Sequence, residues 1–415
     1  MKKPLHKHIS HHARKVHGHF TKYLYERDTI LATLWVFIFI VGLGLIPINT
    51  YILNPIKLGL KDFDYTDLAY AELGKGKKNG IDSNVVIINI GMADREVLSM
   101  IIDKTASMKP KVMALDALFF EERDPVQDSL LAATISRHKN LICASKLELS
   151  GKEGDTVKIT GNYFNQAHTF AYANFFNDEY ASTRYFDPFL KDYKHQTYES
   201  LTAAILKQFN TAAYEKLKKK EGKKVLINYS RRTNQYQVIE YETLLAGGVM
   251  DSLIMGKVAL LGYINTDRYD ISDKKFTPMN ARFAGKSVPD MNGIVVHANI
   301  ISMALGNHYI KKVPSWINLL IAVVVCWLFM SFFIRYYLEN HIWFHLVAKI
   351  IQVATAILFA YLGIYFYDKY NLKVDMKMSL IVIIMSVDVI YFYEAWAVWM
   401  HKKFHYHTVF KPHHH

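Results

Sequence analysis

Cysteine is nearly absent from this 415-residue chain, which has two, Cys143 and Cys326. One falls in the apolar stretch Leu141–Ser145 and the other in a long hydrophobic run. No disulfide is expected between such positions, so a folded domain here must rely on its own core. The short motifs that carry chemistry are also missing. There is no glycine-rich phosphate loop, no His-Glu-x-x-His, no Gly-x-Ser-x-Gly, and no kinase or cyclase signature. The chain is expected to have no enzymatic activity and no cofactor. Between about residues 53 and 312 no run is long enough to cross a membrane. That leaves about 260 residues, ample for a core of their own.

Long apolar runs flank this region. They cover residues 29–48, 316–334, 342–366 and 378–400. Each holds about 19–25 residues, which at about 1.5 Å per residue spans a hydrocarbon layer of about 30 Å. Four transmembrane helices are expected, one before the middle region and three after it. The first reads as an uncleaved anchor, because Ile46–Thr50 offers no small-residue cleavage site.

Charge sets the expected orientation. Residues 1–28 carry seven lysines and arginines against Glu26 and Asp28, and residues 401–415 carry Lys402, Lys403 and Lys411 with no acid. Short basic flanks stay cytoplasmic, while long loops translocate whatever their charge. Both termini and the turn at Arg335 are expected inside, and residues 53–312 outside. Trp316 and Trp343 suit the interfacial belt.

The net charge of +13 is thus concentrated in the tails, where it serves topology and attraction to the lipid bilayer, and no nucleic-acid partner is expected. Lys216–Lys224 is the one dense basic cluster elsewhere and reads as a solvated loop. Both tails are histidine-rich, with His6, His8, His11, His12, His17 and His19 at the start and His401, His405, His407 and His413 to His415 at the end. No carboxylate or cysteine accompanies them, so they read as pH-sensitive tails and no metal site is expected.

The middle region alternates strand and helix. Asn84–Ile90 is a short β-branched run, Met92–Lys109 an amphipathic helix and Lys111–Asp116 a second strand. Strand, helix and strand with short joints imply parallel pairing. A helix at Asp128–Arg137 and a strand at Asn140–Lys146 continue the pattern. Further on come a helix at Leu201–Phe209 and strands at Lys224–Tyr229 and Lys257–Tyr263. Gly293–Leu305 begins strand-like and turns helical. The fold class is an α/β extracytoplasmic domain with a largely parallel sheet.

The ordered segments Asn84–Gly91, Pro110–Asp116, Asn140–Lys146, Ala173–Phe175 with Thr183 and Arg184, Ser200–Leu201, Ile227–Tyr229, Gly256–Gly262, Thr277–Pro278 and Gly293–Asn299 resemble one family. It is the second type of CHASE domain, an extracellular sensor associated with cyclases and histidine kinases. The resemblance covers roughly residues 55–310 and rests on the order of the segments, with no single specific motif. It implies a sensor in the bacterial inner membrane. Family members commonly continue into a kinase, cyclase or similar output domain. This sequence ends about fifteen residues after its last span, so the output is expected from a separate membrane or envelope partner.

In open parallel sheets, ligands sit beyond the carboxyl ends of the strands. Asp94, Arg95 and Asp116 lie there, and Arg184, Asp267, Arg268, Asp273 and His297 fall in the family-like segments. These eight are the candidate ligand contacts. Each also has an internal reading: Asp116 capping a turn, Arg184 paired with an acid, His297 a satisfied core histidine.

The expected spans contain His345, Lys349, Gln352, Asp388 and Glu394. The first three share one helix face. Lys349 lies about 12 Å and Glu394 about 10 Å from the same membrane side, which predicts that they pair. Asp388 is expected to face another neighbour and to be uncoupled from Lys349. The leading functional expectation is a non-catalytic sensor relaying an unidentified signal. The alternatives are a structural subunit of an envelope assembly and a transporter or proton-path subunit built as a homo-oligomer.

Overall fold

The computed structural model describes residues 23–45, 64–71, 73–75, 79–150, 156–164, 170–176, 181–192, 195–267, 269–280, 288–339 and 342–410. The histidines and basic residues expected at 2–22, Lys411 and His413 to His415 lie outside the described residues. The chain forms two units, residues 55–310 and a second made of residues 1–54 and 311–415.

In the first unit, a short helix α2 (Asp67–Ala71; helix Arg27–Leu45, α1, belongs to the other unit) leads into β1 (Val85–Asn89), α3 (Arg95–Ser107), β2 (Val112–Asp116), α4 (Pro125–Arg137) and β3 (Leu141–Ser150). Then come β4 (Thr156–Thr160), β5 (Phe170–Tyr172), β6 (Tyr185–Phe186), β7 (Phe189–Lys191) and β8 (Thr197–Glu199). The rest comprises α5 (Leu201–Phe209), α6 (Thr211–Lys218), β9 (Val225–Leu226), β10 (Gln237–Glu240), α7 (Tyr241–Leu245), β11 (Val258–Gly262), β12 (Lys274–Lys275), β13 (Met291–Asn292) and α8 (Gly293–Leu305).

The main sheet runs β10-β1-β11-β2-β3-β4, with β5 also paired to β3. Every pairing is parallel except β3 with β4. Val85–Ile88, Val112–Leu115 and Val258–Leu261 are buried throughout, as strands covered on both faces must be. On one face Val86, Ile88, Met113, Leu115, Ala259 and Leu261 pack with Leu98, Ile101 and Ile102 of α3 and Leu131 and Ile135 of α4. Alternate residues point the other way, and α5 and α8 pack against these strands. Local signals start the helices where they are. Asp94 caps α3 through Val97 N, and Asp124 caps α4 through Val126 and Gln127 N with Pro125 following.

Two expectations need correction. Lys224–Tyr229 does not join the sheet; only Val225 and Leu226 form strand, antiparallel to β6. The rest of that segment is used otherwise: Ile227 N bonds Arg184 O, and the Asn228 amide donates to His308 O at 2.8 Å. Gly293–Leu305 is helical from its first residue, with strand confined to Met291–Asn292. Its residues Gly293 to Ala304 are all buried, so it has no polar face to reveal a 3.6-residue period. The helix lies so close to β11 that a Cβ at Gly262 would come within 2.9 Å of Ile294 Cγ1.

The second unit holds four helices long and apolar enough to cross a membrane: α1 (Arg27–Leu45), α9 (Ser315–Glu339), α10 (Phe344–Tyr370) and α11 (Lys377–Phe404). Ala32 and Val36 of α1 share a core with Cys326, Met330 and Phe333 of α9 and Val387, Ile390 and Tyr393 of α11. β14 (Lys311–Lys312) pairs in parallel with β15 (Leu372–Lys373). After α11 the chain turns through His405 in the left-handed region, and Phe410 is buried against Tyr337 and Tyr393.

Candidate functional site

The carboxyl end of the sheet gathers three of the eight sequence candidates. Asp116 closes β2 and lies level with Gly262 of β11. Asp116 is half-buried, and its partial withdrawal from water pushes its pKa from 3.8 to about 6, against the opposing pull of Lys275. Among the described residues no group hydrogen-bonds this carboxyl. Asp273 sits at the start of α8, where its carboxylate accepts from Gly293 N at 3.2 Å. A Cβ at Gly293 would meet both carboxylate oxygens at 3.2 Å, so glycine lets the acid close on the helix end. Asp273 is exposed as a residue, yet the protein packed around its carboxyl, and then the charge of Asp116, raise it to about 6. Asp273 in turn acts on His297, one and a quarter turns into α8.

His297 is 3 % exposed and stacked on Phe175, with ring centroids 4.9 Å apart. Its Nε2 lies 3.0 Å from Ala173 O, at the carboxyl end of β5. Burial lowers its pKa to about 4, so the ring is neutral near pH 7. Beside it Tyr172, which ends β5, donates its hydroxyl to Asp187 O. A recess of about 360 Å³ adjoins Tyr172 and is lined by Ser145, Asn162, Phe170, Tyr198 and Glu199 among others. Within it Glu199 is already held by Lys207 at 3.1 Å and Tyr214 Oη at 2.6 Å. This recess escaped the sequence reading because it is built by β5 and β8, three residues each and without a distinctive pattern.

The other candidates are placed elsewhere. Asp94 is the exposed cap of α3. Arg95 is 6 % exposed, paired with Asp128, and lies over the rings of Phe119, Tyr163 and Phe164 at 5.4–5.7 Å. Burial alone would raise Asp128, but the bonds from Arg95 and the Arg123 N–H hold it below the usual carboxylate range. Arg184 makes a two-pronged pair with Asp67, at 2.5 and 3.3 Å. Asp267 lies in an exposed turn, bonded to Tyr269 N. Arg268 lies outside the described residues. No group of three His, Cys, Asp or Glu is placed to hold a metal among the described residues.

In the helical unit the expected Lys349–Glu394 pair is not formed. Lys349 Nζ lies 3.3 Å from Asp388 Oδ1, and Glu394 accepts from Tyr337 Oη at 2.7 Å. The reason is register. His345 meets Tyr391, Lys349 meets Asp388, and Gln352 donates to Ile383 and Ile384 O at 2.8 and 2.9 Å. The first residue of α10 is therefore level with about residue 392 of α11, which runs on for about 18 Å beyond it. Depths counted with residues 341 and 401 taken as level misplace Glu394 by about six residues, or about 9 Å, because residue 341 is level with about residue 395. A further carboxylate matters here: Asp28, 2 % exposed at the start of α1, accepts from Tyr393 Oη at 2.6 Å, Tyr406 Oη at 3.2 Å, Thr408 Oγ1 at 3.1 Å and Val409 N at 2.6 Å. Its place in a basic flank gave no hint of this.

The chain thus combines a largely parallel α/β domain with four helices of membrane-crossing length. The family model of the CHASE2 domain matches residues 80–333, and the chain belongs to that family. CHASE2 is an extracellular sensory domain. Comparisons with curated proteins and with solved structures found no match.

Proposed function

We propose that this protein is a membrane sensor that binds a small polar signal at the carboxyl end of its parallel sheet, at Asp116 and Asp273, with His297 sealed behind them. The observation that carries this reading is Asp116: a half-buried carboxyl at the carboxyl end of β2, raised to about 6, with no hydrogen-bond partner among the described residues and so open to a ligand. Carboxyls perturbed in this way concentrate at functional sites. Residues 53–312 lie outside the bacterial inner membrane and both termini lie in the cytoplasm, in keeping with the basic flanks and with the family. The protein itself is not catalytic and passes its signal to a separate membrane partner.

Two experiments test this. Reporter fusions at residues 20 and 150 and at the C-terminus should read inside, outside and inside; an inside signal at residue 150 defeats the orientation. Thermal-shift screening of the full-length protein in detergent, against small amines, amino acids and other polar solutes, should find ligands whose effect disappears in Asp116→Asn. Ligands that bind Asp116→Asn and Asp273→Asn as well as they bind the parent place the signal elsewhere.

A further inference from the structure

Two of the sealed polar atoms in the α/β unit that have no partner, His297 Nδ1 and Thr202 Oγ1, belong to residues lining one cavity. It lies between α8 and the start of α5, and Ser200, Asp187, Phe175 and Ile300 complete much of its wall. Thr202 is 1 % and His297 3 % exposed, so bulk water satisfies neither. The tautomer follows from the neighbours. Nε2 faces the carbonyl of Ala173, which can only accept, so Nε2 carries the proton and Nδ1 presents a lone pair. Thr202 brings a hydroxyl that can donate or accept. Ser200 Oγ accepts from Ala203 N at 3.2 Å and retains its own proton to donate.

The space is small. The cavity offers about 10 Å³ to the centre of a water-sized sphere, room for a single water and for nothing larger. Its polar atoms suit a molecule that gives one hydrogen bond to the imidazole and exchanges others with the hydroxyls. We propose that this cavity binds one water molecule, which donates to His297 Nδ1 and bonds the Thr202 hydroxyl, so joining α8 to α5. The water completes the hydrogen bonding of His297 and holds its ring against Phe175. The inference does not depend on the sensor reading.

Thr202→Val gives opposite results for a wet and a dry cavity. It exchanges a hydroxyl for a methyl at nearly constant shape. If the cavity is dry, the hydroxyl is unsatisfied, and its removal leaves Tm unchanged or higher. If a water is bound there, Val takes away one of its partners and Tm falls. For the full-length protein in detergent we expect a lower Tm for Thr202→Val, recovered in part by Thr202→Ser. We also expect a crystal structure that resolves ordered water to show one within hydrogen-bond distance of both His297 Nδ1 and Thr202 Oγ1. An empty cavity in that structure, or a Thr202→Val protein as stable as its parent, overturns the proposal.

Discussion

Val409 donates its backbone N–H to Asp28 at 2.6 Å, tying together positions 381 residues apart. With Tyr393, Tyr406 and Thr408 also donating, four bonds converge on one buried carboxylate. The segment after α11 is thereby fixed to the start of α1.

Asp28→Asn should therefore destabilise the helical unit. An amide replaces one acceptor oxygen with a donor that would face groups that themselves donate. We expect a loss of about 2–4 kcal/mol in a detergent melt, since bonds to a charged group contribute about 1.5–3 kcal/mol each and do not simply add. Limited proteolysis should then cut within residues 405–410. A variant as stable and as resistant as the parent would show that the carboxylate is not what holds this segment.

Lys349 and Asp388 should be coupled, and Lys349 and Glu394 should not. The Lys349 and Asp388 side chains are 53 % and 50 % exposed, so in water the pair would contribute about 1 kcal/mol or less. In a bilayer neither charge is tolerated alone, which raises the coupling. In lipid nanodiscs Lys349→Met combined with Asp388→Asn should lose less than the two single losses added together. Lys349→Met and Glu394→Gln should add. Additivity at the first pair, or coupling at the second, contradicts the register found here.

Arg95 should act on stability and leave signal binding untouched. Removing it strands Asp128 in a buried place, at a cost of about 3–5 kcal/mol. Arg95→Lys should recover little, because an ammonium cannot reproduce a flat guanidinium lying over three rings while it pairs with a carboxylate. Chemical denaturation of Arg95→Met, Arg95→Lys and the parent checks this, and a stable Arg95→Lys would refute it.

The carboxyl end of the sheet should make stability fall as pH rises from about 4 to about 6. Asp116 and Asp273 have folded pKa values raised from 3.8 to about 6, as does Asp290, which precedes β13 and accepts from Thr277. The folded state holds their protons more tightly than the unfolded chain, so their protonated forms favour folding and that advantage is lost through this window. His297 works against them. Lowered from 6.5 to about 4, it favours folding above pH 6.5, and its contribution is lost as pH falls towards 4. Asp273 and Asp290 are exposed, so solvent screens part of their share, and the three acids together still outweigh one base. Asp116→Asn should flatten the decline by about 2 kcal/mol across the window. Urea melts from pH 4 to 7 measure it, and an unchanged slope in Asp116→Asn would show that this carboxyl does not titrate there.

Much of the α/β core was legible in the sequence because its strands are short apolar runs with a helix between them. Val85–Asn89, Val112–Asp116 and Val258–Gly262 fall inside the expected runs, and Leu201–Phe209 has the expected limits. Pairing partners were not legible. KVLINY reads as a core strand, yet its second half is drawn away by Arg184, Thr183 and His308. β10 escaped notice because Gln237–Glu240 is a half-polar edge strand with only Ile239 fully buried. Of the site candidates, those assembled by the sheet's topology came together, whereas Arg95 and Arg184 went to carboxylates, Asp128 and Asp67, that no local pattern singles out. Register between long helices was invisible too, since composition alone does not fix the overhang of α11.

A helix walled in on every side keeps its own time. In α8 every residue from Gly293 to Ala304 is buried, and Gly262 brings β11 close against it. Local fraying offers its amides no route to solvent, so hydrogen exchange there should proceed only through opening of the whole domain. The amides of Val296 to Ile301 should be among the last to exchange in the chain, and their rate should report the global unfolding free energy directly. The half-polar edge strand β10 should exchange long before them, although it belongs to the same sheet as β11.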